Sequence, residues 1–226
     1  TLSDSDHELK DLILQSGRMV GCEITEDQVH DLLIYAKAVL KWNKRFNLTG
    51  ASSLRQFISD HIVDCLALAP HINTGPLLDL GSGAGLPGLV LKIIIPSIHV
   101  VLVEPRGKRA RFLSSMRIEL GLNTLDVVAK RIEEFESTIE FSYILTRAFG
   151  SASQFIEKAG GLATDKTKLI TMKGVLNEEE IRSAEALWGS PAKAVRIEVP
   201  GFSDRHLVFF QRKALDSDAV TSPLVT

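Results

Sequence analysis

The chain has 226 residues, 45% of them hydrophobic and 24% charged, a composition that suits one α/β domain with a smaller appendage and argues against disorder. Its longest apolar runs, such as residues 89–95, fall short of the roughly 20 residues of a membrane span, and no apolar secretory segment opens the chain. The two cysteines form no CxxC pair, so we expect a protein of the reducing cytoplasm.

The net charge of −2 conceals two basic segments. Neither residues 32–59 nor residues 105–118 contain an acidic side chain, and each segment holds five lysines and arginines. Because the field that a ligand meets is set by nearby charge, both segments are candidate phosphate-binding surfaces. Charge alone favours the plainer interpretation of two solvated helix faces.

Residues 1–73 are predicted to form a helical N-terminal region. Apolar side chains recur at helical spacing from Val29 to Leu40 and again from Leu54 to Ala69. Thr25 and Gln28 have the spacing of a capping box at the start of the first of these stretches.

The period changes after residue 75, where short apolar segments begin to alternate with helical ones. This alternation is typical of a doubly wound parallel sheet, and the last two strand candidates suit an antiparallel hairpin at its edge. The strand candidates are Leu77–Leu80, His99–Val103, Thr124–Val128, Ser142–Leu145, Lys168–Met172, Ala194–Val199 and Leu207–Phe210. We predict a mainly parallel sheet of about seven strands over residues 74–213, followed by a mobile tail over 214–226.

A glycine-rich segment, D-L-G-S-G-A-G-L-P-G at residues 79–88, follows the first strand candidate. Gly81, Gly83 and Gly85 would allow backbone to approach a ligand closely, and Glu104 follows where a carboxylate can accept hydrogen bonds from a ribose diol. Residues 83–88 also fit the G-x-G-x-x-G dinucleotide fingerprint, so a nicotinamide-dependent oxidoreductase is one alternative. In a dinucleotide site, however, the first glycine of this fingerprint should follow the strand directly, and here the glycines start earlier, at Gly81. The pattern resembles more closely the first motif of the class I (Rossmann-like) methyltransferases that use S-adenosylmethionine.

Two features that the sequence lacks limit which atoms could accept the methyl group. Methylation of a pyrimidine carbon needs a cysteine nucleophile, and both cysteines lie upstream of the glycine-rich segment. Exocyclic amines are commonly served by an Asn/Asp-Pro-Pro-aromatic loop, where this chain has T-R-A-F at residues 146–149. Guanine N7 has a free lone pair and needs only positioning groups. Arg147, Phe149 and Lys173 follow strand candidates and are such groups, the alternatives being a salt bridge or a core phenylalanine.

At the level of the whole sequence, the chain resembles the RsmG (GidB) family, the bacterial small-subunit ribosomal RNA guanine-N7 methyltransferases. The segments that carry the resemblance, in order, are residues 42–49, 61–64, 79–88, 107–113, 147–149, 172–174 and 205–208. The resemblance implies that S-adenosylmethionine is the cofactor and that ribosomal RNA or the small ribosomal subunit is the partner.

The resemblance also implies roles for individual residues. Those expected at the cofactor are Gly81, Leu86, Ile132, Glu133 and Arg147, beside Gly83 and Gly85 of the glycine-rich segment and Glu104 after the second strand candidate. Those expected at the RNA are Asn43, Lys44, Arg45, Lys108, Arg109, Lys173 and Arg205. Beyond the resemblance, we expect Arg147 and Lys173 to orient the reacting base and its phosphate.

His61 lies on an apolar helix stripe, and we interpret it as a structural rather than a catalytic residue. The remaining histidines have no metal-ligand spacing, so no metal site is predicted. A non-catalytic RNA-binding assembly factor on the same fold is the second alternative to an enzyme.

Overall fold

A computed structural model describes residues 4–73, 75–147 and 150–212, and the predicted tail over 214–226 lies outside these ranges. The chain opens with two long helices, α1 (Asp4–Met19) and α2 (Glu26–Phe46). The predicted capping box is confirmed at the start of α2, where Thr25 Oγ1 accepts from the Gln28 amide at 3.3 Å and Gln28 Oε1 accepts from the Thr25 amide at 2.9 Å. Asn47, at φ +49°, ends α2 in the left-handed conformation.

The second predicted helical stretch is interrupted. It consists of α3 (Leu54–Phe57), a π-helical segment (Ile58–Ile62), α4 (Val63–Leu66) and a 3-10 turn (Ala69–His71). A π-helical turn inserts one residue into the helical repeat, which an apolar stripe read at 3.6 residues per turn does not reveal.

The sheet has seven strands in the order β3-β2-β1-β4-β5-β7-β6. Strands β1 to β5 pair in parallel, while β7 pairs antiparallel with both β5 and β6, so the predicted mainly parallel sheet with an edge hairpin is confirmed. The strands are β1 (Leu77–Leu80), β2 (Val100–Val103), β3 (Leu125–Val128), β4 (Tyr143–Thr146), β5 (Lys168–Lys173), β6 (Lys193–Arg196) and β7 (His206–Phe210). Strand β6 is shorter than predicted because the chain turns after it, with the Phe202 amide donating to the Val199 carbonyl.

Helices cover both faces of the sheet. They are α5 (Gly88–Ile94), α6 (Gly107–Glu119), a 3-10 turn (Ile132–Glu134), α7 (Ala152–Ala159), a 3-10 turn (Gly160–Leu162) and α8 (Glu178–Trp188). One core cluster joins α1, α2, α5 and α6 to the face that carries Leu77, and a second joins α7 and α8 to the face that carries Leu78 and Leu80. The strands therefore read as continuous apolar runs because both faces are covered.

The N-terminal helices share a hydrophobic core with the sheet. Leu32 and Tyr35 of α2 belong to the same buried cluster as Leu77 and Leu102. The boundary at residues 73 and 74 thus separates helical from sheet segments, and a division into two domains there stays a prediction. Within the described ranges, no helix is both long and apolar enough to cross a membrane.

Candidate active site

The glycine loop, residues 81–88, leaves the carboxyl end of β1 and enters α5. Gly81, Gly83 and Gly85 have φ values of +73°, +59° and +104°, a region that side chains other than glycine disfavour. A Cβ on Gly85 would lie 2.9 Å from both Leu113 and Leu89, so this glycine is needed for helix packing. A Cβ on Gly83 would meet nothing closer than 3.8 Å. The backbone at Gly83 therefore faces open space, and a ligand can approach it there.

Two buried side chains hold the glycine loop from below. Tyr35 of α2 donates from its hydroxyl to the Ala84 carbonyl at 2.9 Å. Asp79 of β1 accepts from the Gly88 amide at 2.9 Å through Oδ2, while its buried Oδ1 has no hydrogen-bond partner within the described residues. Burial raises the pKa of Asp79 to about 7. Sequence reasoning assigned no role to either residue; the signal for Tyr35 was a hydroxyl placed on an otherwise apolar helix stripe.

Glu104 lies beside the loop at the carboxyl end of β2. Its Oε2 accepts from the Gly83 amide at 2.9 Å and its Oε1 from the Arg106 amide at 2.9 Å, and the side chain is buried. Each carboxylate oxygen keeps a further lone pair, so Glu104 can still accept from a hydroxyl group.

The 3-10 turn after β3 carries the next two candidate residues. Ile132 is half-buried and packs against the core cluster of α7 and α8. Glu133 is exposed and pairs with Lys158 of α7, a contact that lowers the pKa of Glu133. Because β3, β2 and β1 are parallel neighbours, this turn, Glu104 and the glycine loop all lie at the carboxyl ends of adjacent strands. Leu86 lies in the loop and is half-buried against the core of α5 and α6.

Arg147, at the carboxyl end of β4, is held by the N-terminal helices. Its Nη2 lies 2.6 Å from His61 Nδ1, and its Nη1 lies 3.4 Å from the His61 carbonyl and 4.0 Å from Asp64 Oδ2. Burial and the adjacent guanidinium both lower the pKa of His61, which keeps the imidazole neutral and able to accept this hydrogen bond. His61 is thus a partner of a candidate site residue, consistent with the structural role expected of it.

Arg205 shares a partner with Arg147. Its Nε donates to Asp64 Oδ1 at 3.0 Å, and its guanidinium stacks 3.7 Å from the centre of the Phe202 ring. The buried carboxylate of Asp64 therefore bridges two arginines from β4 and from the start of β7. Burial raises the pKa of Asp64 and both guanidiniums oppose that rise. Sequence reasoning missed Asp64, although an acidic residue on an apolar helix was the available signal.

Lys173 ends β5, next to the other two cations. Its Nζ donates to the Gly150 carbonyl at 2.9 Å and to Glu180 Oε1 at 2.8 Å. Lys173 pairs with His206 in the antiparallel β5–β7 ladder, so Arg205, the residue before His206, lies beside Gly174, the residue after Lys173. Three of the predicted site cations therefore gather where β4, β5 and β7 meet. Phe149, the predicted aromatic group, lies outside the described residues.

The two basic segments meet at the end of α2. Arg109 of α6 donates from Nη2 to the Asn47 carbonyl at 3.1 Å, and Lys108 Nζ lies 5.4 Å from the centre of the Phe46 ring. Lys44 and Arg45 are exposed in the last turn of α2. Asn43 instead accepts from the Thr49 amide at 2.9 Å, which stabilises the chain after the helix.

Part of the first basic segment is neutralised by α1. Lys37 pairs with Asp6 at 2.8 Å and Arg55 pairs with Glu8 at 2.9 Å. The cations of the two basic segments that lie near the end of α2 and the start of α6 form no ion pair with a described acidic residue. The described residues include no group of three or more His, Cys, Asp or Glu side chains placed to hold a metal ion.

Comparison with known proteins gives one consistent family. Residues 28–208 match the family model described as GidB, rRNA small subunit methyltransferase G. A Methylobacillus flagellatus protein named Ribosomal RNA small subunit methyltransferase G is 37% identical over 87% of this chain and 95% of its own length. A Pseudomonas paraeruginosa protein of the same name is 34% identical over 90% of this chain and 96% of its own length.

Solved structures share the fold at lower identity. The B. subtilis tRNA methyltransferase TrmK has a TM-score of 0.54 and 21% identity, over 66% of this chain and 65% of that one. P. horikoshii TYW2 in complex with MeSAdo has a TM-score of 0.51 and 16% identity, over 66% of this chain and 61% of that one.

Proposed function

Because the chain belongs to the rRNA small subunit methyltransferase G family, we propose that it transfers a methyl group from S-adenosylmethionine to N7 of a guanine in small-subunit (16S) ribosomal RNA. The proposal rests on one observation: the end of the sheet at which the parallel strands have their carboxyl ends carries two different groups of residues. The carboxyl ends of β3, β2 and β1 carry the glycine loop and Glu104, and β4, β5 and β7 carry three cations. We assign the first group, the donor half, to the methyl donor and the second, the acceptor half, to the acceptor.

The donor half fits S-adenosylmethionine. Gly83 leaves backbone open to a ligand, and Glu104 has free lone pairs for a ribose diol. Asp79 lies beneath the loop with one carboxyl oxygen unpartnered, and a cationic ligand above the loop would favour its ionised form. When bound, the cofactor supplies an electrophilic methyl group on a sulfonium. We place its adenine beside Ile132 and Glu133, which would meet the ligand through backbone groups while the Glu133 carboxylate stays on Lys158.

The acceptor half fits a nucleophile that needs no general base. Guanine N7 carries a lone pair and loses no proton as it attacks, so the protein's task is to align it with the methyl group. Arg147 is held by His61 and Asp64, and Lys173 is held by Glu180, so both cations are fixed before RNA arrives. Arg147 and Lys173 orient the base and its phosphates, and Arg205 extends the cationic surface along β7.

The decisive experiment uses the intact protein with isotopically labelled S-adenosylmethionine and isolated small ribosomal subunits. We expect label in the RNA, and mass spectrometry of digested nucleosides should identify 7-methylguanosine. Label on another nucleoside would overturn the N7 assignment. An RNA-binding assembly factor without turnover would leave the RNA unlabelled. With ribosomal RNA as substrate, we extend the proposal to a cytoplasmic location.

A further inference from the structure

A cavity of about 520 Å³ opens at the end of α2, away from the cations of β4, β5 and β7. We call it the α2–α6 pocket, and its lining residues are Lys41, Trp42, Lys44, Arg45, Phe46 and Arg111. Its volume lies within the roughly 300–1,000 Å³ of small-molecule sites. The lining combines two aromatic rings with four cations and has no acidic side chain.

The aromatic part of the pocket is anchored from below. The centres of the Trp42 and Phe46 rings are 5.4 Å apart, and Trp42 meets the buried Phe112 ring edge-on at 5.5 Å. Trp42 and Phe46 are both only partly buried, so ring surface stays available to a ligand. Lys108 adds a fifth cation above the Phe46 ring.

Two of the cations around the α2–α6 pocket lie near the N-terminus of a helix. Lys108 and Arg111 lie in the first two turns of α6, where positive charge opposes the helix dipole, and the first turn holds no acid. The ion pairs formed among the described residues include none of the pocket's cations, although Lys37 and Arg55 nearby do find acidic partners. Clustered cations that lack counter-charges favour an anionic ligand.

We propose that the α2–α6 pocket binds one unpaired nucleotide of the RNA substrate, with its base stacked on Trp42 or Phe46 and its phosphates on Lys44, Arg45 and Arg111. An aromatic ring can stack on any base that is unpaired. A site for double-stranded RNA would contact the phosphates and would not need an aromatic cavity. The inference rests on the proposed function, because it takes RNA as the substrate. This nucleotide is not the methylated guanine, which belongs at Arg147 and Lys173.

The test compares pocket variants with wild type on a single-stranded RNA oligonucleotide and on small subunits. We expect Trp42→Leu to weaken RNA binding about 5- to 100-fold, and Trp42→Phe to retain most of it. Arg111→Gln should weaken binding and reduce the slope of log affinity against log salt by about 0.7, the value for one single-strand phosphate contact. Arg18→Gln is the matched control, since Arg18 is an exposed arginine on α1.

The inference and the proposed function fail in different ways. If Trp42→Leu and Arg111→Gln bind RNA as wild type does, while wild type still labels RNA, the pocket inference is wrong and the proposed function stands. If wild type leaves RNA unlabelled, the proposed function fails first. Weaker binding to subunits with unchanged binding to naked RNA would assign the pocket to a ribosomal protein and overturn the inference.

Calorimetry with S-adenosylhomocysteine checks that each variant is folded. Because Arg111 is exposed, Arg111→Gln still tests the pocket if Trp42→Leu does not fold.

Discussion

At the scale of single residues, Asp64 connects the helical region to the cationic half of the site. Its carboxylate faces Arg147 and Arg205, which enter from two different strands. The sequence analysis singled out both arginines as site residues. It could not show that they pair with Asp64, because they lie 83 and 141 positions after it in the chain. Contacts across such separations depend on the tertiary fold, whereas glycine loops and helix caps can be predicted from residues that are close together in the sequence.

Replacing Asp64 with Asn should therefore lower stability and RNA methylation together. Removing the carboxylate leaves two partly buried cations without a counter-charge, and we expect the free energy of unfolding to fall by about 3 kcal/mol. Urea unfolding measures this loss, and the KM for RNA should rise as Arg205 is released. Asp60→Asn makes the same change four residues earlier, where the side chain is half-buried, and should alter stability by less than about 1 kcal/mol. Equal effects of the two substitutions would contradict the bridging role.

Lys173→Ala should separate RNA methylation from cofactor binding. We expect its methylation rate at low RNA concentration to fall about tenfold or more, because one charge-assisted contact is lost, while the affinity for S-adenosylhomocysteine stays within about twofold of wild type. Lys166→Ala, an exposed lysine on the loop before β5, serves as the control. Equal losses of methylation and cofactor affinity would place Lys173 in the wrong half of the site.

Asp79 should make stability depend on pH. Its pKa is about 7 in the fold and 3.8 as an isolated group, so the unfolded chain releases this proton first as pH rises. The contribution is complete below about pH 4 and is lost as pH rises through 7, by about 3 kcal/mol between pH 5 and pH 8. Urea unfolding of wild type and Asp79→Asn at both pH values isolates this group, because the other ionisations cancel in the difference. An identical pH dependence in the two proteins would show that Asp79 titrates normally.

At the scale of elements, strands were easier to predict than the helices of the N-terminal region. Strand β1 was predicted at its observed bounds and most others within one residue, since both sheet faces bury apolar side chains. The π-helical segment Ile58–Ile62 went unpredicted, because its apolar stripe fits an ordinary helix equally well. That segment carries His61, so the unpredicted geometry lies next to the candidate site.

The glycine loop gives a prediction at the same scale, because its glycines serve different purposes. In Gly85→Ala the new methyl group would collide with Leu89 and Leu113, so we expect a lower melting temperature and loss of cofactor binding. In Gly83→Ala the methyl group enters open space at φ +59°, which should reduce stability by only about 1 kcal/mol. Affinity for S-adenosylhomocysteine, measured by calorimetry, should still fall about tenfold or more. Normal binding by Gly83→Ala would show that the ligand does not approach the loop there.

At the scale of the whole molecule, the shared core predicts that the chain unfolds as one unit. Trp42 lies in the N-terminal region and Trp188 in α8 on the opposite face of the sheet, so each reports on one predicted part. Trp188→Phe and Trp42→Phe variants, each with one tryptophan left, should give coincident fluorescence midpoints in urea. Separate midpoints would show that residues 1–73 and 74–213 unfold as distinct domains.

Arg109 has a consequence for how the two substrates influence each other. It bonds the carbonyl of Asn47, the residue after the pocket's Phe46, and lies beside Gly83, so the same guanidinium connects the end of α2 to the donor loop. A side chain common to two binding surfaces couples their occupancies, and equilibrium linkage requires the coupling to be symmetric. If bound RNA changes the affinity for the methyl donor by a given factor, the bound donor must change the affinity for RNA by the same factor.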